Sequence, residues 1–252
     1  IGRSYNQIYY DRGDRVARVD GEARTSLITF PSDGRIPELT PEGARRKQEY
    51  HEFRSRFGEF DHPELRPLAE RCIVFYGSSS ASVMGPPMTP TRGYNNNFMI
   101  VQDVDHVLIM SEMIHDVRIV RLGEPKRLPV RIRPWFGDSW GHWEGDTLVV
   151  ETTNFSDQAF LFAPGGGPQG GTNWHLTEAL RVVERFTRVG PDTLDYQFTI
   201  DDPESFAAPW TVAFPITRAI GTLFENACHE GNHSMPLILR GARAVERAAE
   251  AR

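Results

Sequence analysis

Thr193-Leu194-Asp195-Tyr196-Gln197-Phe198-Thr199-Ile200-Asp201 alternates polar and apolar residues along its whole length. Side chains of a strand point to opposite faces in turn, so this stretch reads as a strand with one greasy face and one wet face. Gly190-Pro191-Asp192 precedes it as a turn and Leu180 to Val189 as a second strand, which makes a hairpin. The same grammar recurs outward. Asp138 to Trp143 turns through Glu144-Gly145-Asp146 into Thr147 to Phe155, with a glycine suited to positive φ. Phe98 to Gln102 turns through Asp103-Val104-Asp105 into His106 to Met110. Met113 to Leu122 follows, closed by Gly123-Glu124-Pro125, and Trp210 to Thr217 and Thr222 to Ala227 end the series. A meander of roughly eight or nine strands is expected to close on itself, because closure removes the unpaired edges.

The predicted fold is therefore all-β: an antiparallel, lipocalin-like (calycin-like) barrel over 94–235, inside a single domain of 1–252. Residues 1–93 are read as an irregular, partly helical wrapping segment. Its helix starts at Thr40-Pro41, a capping threonine and a first-turn proline, and runs to about Phe57. Residues 236–252 are read as a short C-terminal helix. The 252 residues carry 39% hydrophobic and 25% charged side chains, the balance of a globular chain that can bury a core. No apolar run approaches the ~18 residues of a membrane span, so no membrane insertion is expected. A net charge of −6 argues against a nucleic-acid partner held through phosphates. The sequence opens at Ile1 without an initiator methionine, as a processed or trimmed product would. Cys72 and Cys228 are either bridged or two buried thiols.

Two motifs match catalytic patterns in letters only. Gly137-Asp138-Ser139-Trp140-Gly141 fits the nucleophile elbow, but that elbow needs a strand turning into a helix, and a hairpin follows here. His229-Glu230-Gly231-Asn232-His233 fits the zinc-protease helix, but Gly231 disfavours helix and Pro236 follows too soon. His115 is more informative. On a strand from Met113 it shares a face with Val117 and Ile119, while Asp116 and Arg118 point the other way; it is therefore expected inside the barrel. An interior imidazole can move a proton near pH 7. Tyr94, Asn96 and Asn97 stand at the entrance of the first barrel strand, where their polar groups can donate to a ligand oxygen. Asp138 and Trp143, in a tryptophan-rich hairpin, and Glu184 complete the expected substrate contacts.

At these residues the sequence resembles a large family of uncharacterised exported bacterial proteins. The most specific stretch is Gly137-Asp138-Ser139-Trp140-Gly141-His142-Trp143-Glu144-Gly145-Asp146-Thr147-Leu148-Val149-Val150-Glu151-Thr152. Supporting stretches include Arg35-Ile36-Pro37, Glu112-Met113-Ile114-His115-Asp116, Val183-Glu184-Arg185-Phe186 and Cys228-His229-Glu230-Gly231-Asn232. The likeness runs from about Ser4 to Arg243. It implies a removed signal peptide, a periplasmic or secreted location and hence a Cys72–Cys228 disulfide. It implies no activity and assigns no catalytic residue.

Three functions fit. The leading one is a cofactor-independent lyase, isomerase or hydrolase working by acid–base chemistry on a small organic, aromatic or cyclic substrate. His115 is its base, His229 or Glu230 its acid partner, and Tyr94 with Asn96 or Asn97 its oxyanion donors. The alternative is a periplasmic carrier holding the same ligand unchanged. The third is a metalloenzyme with a transition metal on His115, His229 and His233. The expected partners are a small molecule and a second copy in a homodimer.

Overall fold

The computed structural model describes residues 16–19, 21–66, 68, 70–73, 86–88, 97–158, 160–162, 173–175 and 177–251. The strands are β1 (Arg18–Val19), β2 (Glu22–Ala23), β3 (Ile28–Phe30), β4 (Phe98–Gln102), β5 (His106–Ser111), β6 (Val117–Leu122), β7 (Asp138–Glu144) and β8 (Thr147–Thr153). After them come β9 (Phe160–Phe162), β10 (Asn173–His175), β11 (Arg181–Gly190), β12 (Thr193–Asp201) and β13 (Trp210–Thr217). Helix α1 (Pro41–Ser55) precedes β4, and helix α2 (Ser234–Glu250) follows β13. Thr40 caps α1 as its sequence predicts, its side chain accepting from Gly43 N at 2.9 Å.

Nine of the strands form one sheet in the order β3-β13-β12-β11-β8-β7-β6-β5-β4. The all-β expectation holds. The closed antiparallel barrel does not: β3 and β4 are the two ends of the sheet, and no pairing joins them among the described residues. One step is also parallel, β6 to β7, through Arg121↔Trp140 and Leu122↔Gly141. The cause lies in the connection 123–137. Pro125, Pro129 and Pro134 cannot donate to a ladder, so this stretch does not become a return strand. It carries the chain back to the starting end, and β7 runs parallel to β6. Residues 113–116, expected at the head of a strand, form a turn, and 222–227 is irregular. The leader does more than wrap: its β3 pairs with β13 and makes one edge of the sheet.

The core lies on one face of this sheet. Val107, Ile109, Val120, Leu148, Val150, Val182, Phe186, Tyr196, Phe198, Ile200, Trp210 and Val212 are buried there. Alternation fits β12 as predicted. On β6 it is inverted: Val120 and Arg118 face the core, while Val117 and Ile119 are exposed. Arg118 is turned inward because Glu184 awaits it. Its guanidinium grips the fully buried Glu184 carboxylate through both terminal nitrogens, Nη2 to Oε1 at 3.0 Å. Tyr196 donates to the same carboxylate at 2.7 Å and accepts from Met88 N at 2.9 Å. Burial, with the Glu184 carboxylate beside it, holds the Tyr196 phenol well above its usual range.

β6 and β11 are three strand steps apart, about 14 Å across a flat sheet. Their side chains meet because the sheet curls and because small inward residues, Ser139 and Gly141 on β7, leave room between them. A Cβ on Gly141 would sit 3.0 Å from both Leu122 and Val120 side chains. Pro86, Pro87 and Met88 are buried, and Met88 joins the core on this face. Among the described residues, this face of the sheet carries packed core side chains, Met88 among them.

Candidate active-site corner

The polar chemistry gathers at one end of the sheet, in the turn between β5 and β6. Ser111 N donates to Asp116 O at 3.1 Å and closes the turn, and Ser111 Oγ donates to Met113 O at 3.2 Å. Inside it Ile114 and His115 have φ of +64° and +65°. Two neighbouring non-glycine residues in the left-handed region, one of them β-branched, cost about 1–3 kcal/mol each. Such backbone persists only where surrounding contacts impose it, and here they are visible. Asn226 Oδ1 accepts from Ile114 N at 3.1 Å. The buried Glu112 carboxylate accepts from Phe224 N at 2.8 Å and from Asn97 Nδ2 at 3.2 Å. Segment 224–226 is thus stitched onto the turn. It leads to Cys228, which is bridged to Cys72 with Cα atoms 5.8 Å apart. Asn232 Nδ2 then donates to Glu70 O at 3.2 Å.

Asp116 sits in the angle of this corner. Its Oδ2 is buried with no hydrogen-bond partner among the described residues. Burial pushes its carboxyl up to about 6, against the pull of the nearby His229 charge. A carboxyl half-protonated near pH 6 can both give and take a proton close to neutrality. His229 and His115 are exposed at the same corner, open to anything that approaches from solution.

The residues singled out in the sequence do not all gather at this corner. His115, His229 and Asn97 all lie at this corner, but His115 is exposed in a turn and not inside a barrel. The strand expected from Met113 does not begin until Val117. Glu230 is exposed, with its backbone in the 227–230 turn. Glu184 and Asp138 are not open to a ligand. Glu184 is held by Arg118 and Tyr196, and Asp138 by Arg121 and by Leu128 N at 2.8 Å. Trp143 lies on the end of β7, 47% exposed. Tyr94 and Asn96 lie outside the described residues. His115, His229 and His233 are not drawn into a ligand set: among the described residues no three His, Cys, Asp or Glu side chains are gathered for a metal. The His229–His233 motif lies in a turn before α2, with Gly231 at φ +65°. Ser139 is buried on β7 and shares a 2.8 Å hydrogen bond with Thr152.

Sequence reasoning misses Glu112, Asp116 and Asn226. No glycine, proline or asparagine marks the turn they serve, and simple alternation puts Asp116 on a wet strand face. Away from this corner a groove of about 450 Å³ runs beside α1, walled by Tyr50 and Phe53 and bordered by Asp157, Glu178 and Glu204. No helix is long and apolar enough to cross a membrane among the described residues. Comparison with protein-family models, with curated proteins and with solved structures finds no match to this chain.

Proposed function

We propose that the protein is a cofactor-independent acid–base enzyme, a lyase, isomerase or hydrolase for a small organic or cyclic substrate, with its proton-transfer centre at this corner. The observation that supports the reading is Asp116: a carboxyl raised to about 6, with an unpartnered oxygen among the described residues, beside His229 and a strained turn. Asp116 is the proton-transfer group and His229 its charge partner. His115 contacts the substrate from the turn, and Glu112 is a positioning residue that fixes 224 against 97. Strongly perturbed acids held in strained loops are a recurrent mark of functional sites. The disulfide supports an exported, oxidising setting, periplasmic or secreted.

The test is a thermal-shift and mass-spectrometry screen of small cyclic acids, lactones and esters, run on the wild type, Asp116→Asn and His229→Gln. Product is expected with the wild type, and Asp116→Asn is expected to lower turnover by about 10²–10⁴-fold. Undiminished turnover by the Asn variant would overturn the assignment.

The same residue makes a stability prediction. The folded-state value of about 6 lies above the ordinary 3.8. Between these pH values the folded state binds the proton more tightly, so stability falls as pH rises through the window. Asp116→Asn mimics the protonated form. Allowing for solvent screening at this part-exposed site, it is expected to stabilise the protein by about 1 kcal/mol at pH 7. That gain should vanish below about pH 4, near the ordinary aspartate value, as read by urea unfolding on both sides of the window.

A second reading, carriage of a ligand without turnover, is favoured by the α1 groove with its two aromatic walls. It predicts that Tyr50→Ala/Phe53→Ala abolishes ligand-induced thermal shifts that Asp116→Asn leaves intact.

A further inference from the structure

Two apolar faces of this chain are uncovered among the described residues. The first is on the outer side of the sheet at its open edge. Register aligns Met99, Met110 and Val117 in one row across β4, β5 and β6, and Val101, Leu108 and Ile119 in the next. Met99, Val101, Val117 and Ile119 are exposed, the last at 54%. This is the direct consequence of Arg118 turning inward, because its apolar neighbours on β6 must then face out. The second face is on α2. Its apolar residues spread over more than half of the helix circumference, and none is buried. Leu237, Gly241, Ala244, Val245 and Ala248 follow one another at helical spacing on the exposed side, with Val245 at 71% exposure.

We propose that these faces cover each other between two copies of the chain: α2 of each copy lies on the outer face of β4–β6 of the other. Helix on sheet is an ordinary way to bury such faces. The stripe from Leu237 to Ala248 is about 17 Å long and a five-residue strand about the same, so they match in length. Charges match as well. Beside its stripe α2 carries the exposed Arg240 and Arg247, and the β4–β5 turn presents the exposed Asp103 and Asp105. A stable dimer buries roughly 800 Å² per partner, and reciprocal docking lets each copy contribute two faces toward that area.

Sedimentation velocity of the full chain from about 5 to 200 µM, the range that brackets a micromolar dimer, tests the arrangement. The wild type is expected to be dimeric over the upper part of that range. Val117→Lys/Ile119→Lys, on the sheet face, and Val245→Glu, on the helix face, are both expected to be monomeric with unchanged circular dichroism. Mixing these two monomeric variants should restore dimers, because one helix-on-sheet contact remains intact in the pair. Three results would each overturn the proposal. They are a wild type that stays monomeric at the top of the range, no dimer on mixing, or α2-dependent binding to anionic vesicles by a chain that stays monomeric.

Discussion

Arg118→Met is expected to destabilise the protein by about 3–5 kcal/mol, at the far end of what a single substitution does. The mutation leaves the Glu184 carboxylate in the core with Tyr196 as its only other hydrogen-bonding partner among the described residues. Two buried charges gain little net stability from meeting, because both have left water. Removing one of them exposes the full desolvation cost of the other. The double variant Arg118→Met/Glu184→Met removes both costs and is expected to recover most of the loss. The Tyr196 hydroxyl still accepts from Met88 N in that protein, so residues 86–88 keep their place against the sheet. Urea unfolding of the two single variants and the double variant measures the coupling. Single and double losses that simply add would show that the pair does not act as a unit.

Cys228→Ser comes next, with an expected loss of about 2–5 kcal/mol and a comparable effect from mild reductant. The bridge joins residues 156 apart in sequence, and closing so long a loop restricts the unfolded chain by about 5 kcal/mol on an entropic reckoning. The consequence is also local. Residues 224–226 are tied to the β5–β6 turn only a few positions before the bridge, through Glu112 and Ile114. With Cys228 released, this segment is expected to lift from the turn and admit water to Asp116. Its carboxyl should then fall back toward the ordinary range. A Cys228→Ser protein that is as stable as wild type would mean that the corner is held together without its bridge.

How much of this was legible in the sequence depends on where each decision is made. The hairpins β7–β8 and β11–β12 were readable because alternation and a glycine turn act over a few neighbouring residues. The C-terminal helix and the capped start of α1 were readable for the same reason. The parallel step from β6 to β7 was signalled by three prolines between 125 and 134, but their effect is on the path of the chain and not on any one element. The face inversion on β6 was not readable. Val117 and Ile119 look like core residues beside Arg118, and only Glu184, 66 positions away, reverses them. The same applies to the site. His115, His229 and Asn97 stood out by residue type, whereas the Asp116 carboxyl is raised by burial, which only the folded chain creates.

That carboxyl is the centre of the proposed chemistry, and a carbon-13 NMR titration of the Asp116 side chain tests it most directly. The wild-type protein is predicted to show an apparent pKa near 6, moving when His229 is replaced by glutamine. A value at or below about 4, the range of an ordinary solvated aspartate, would contradict it.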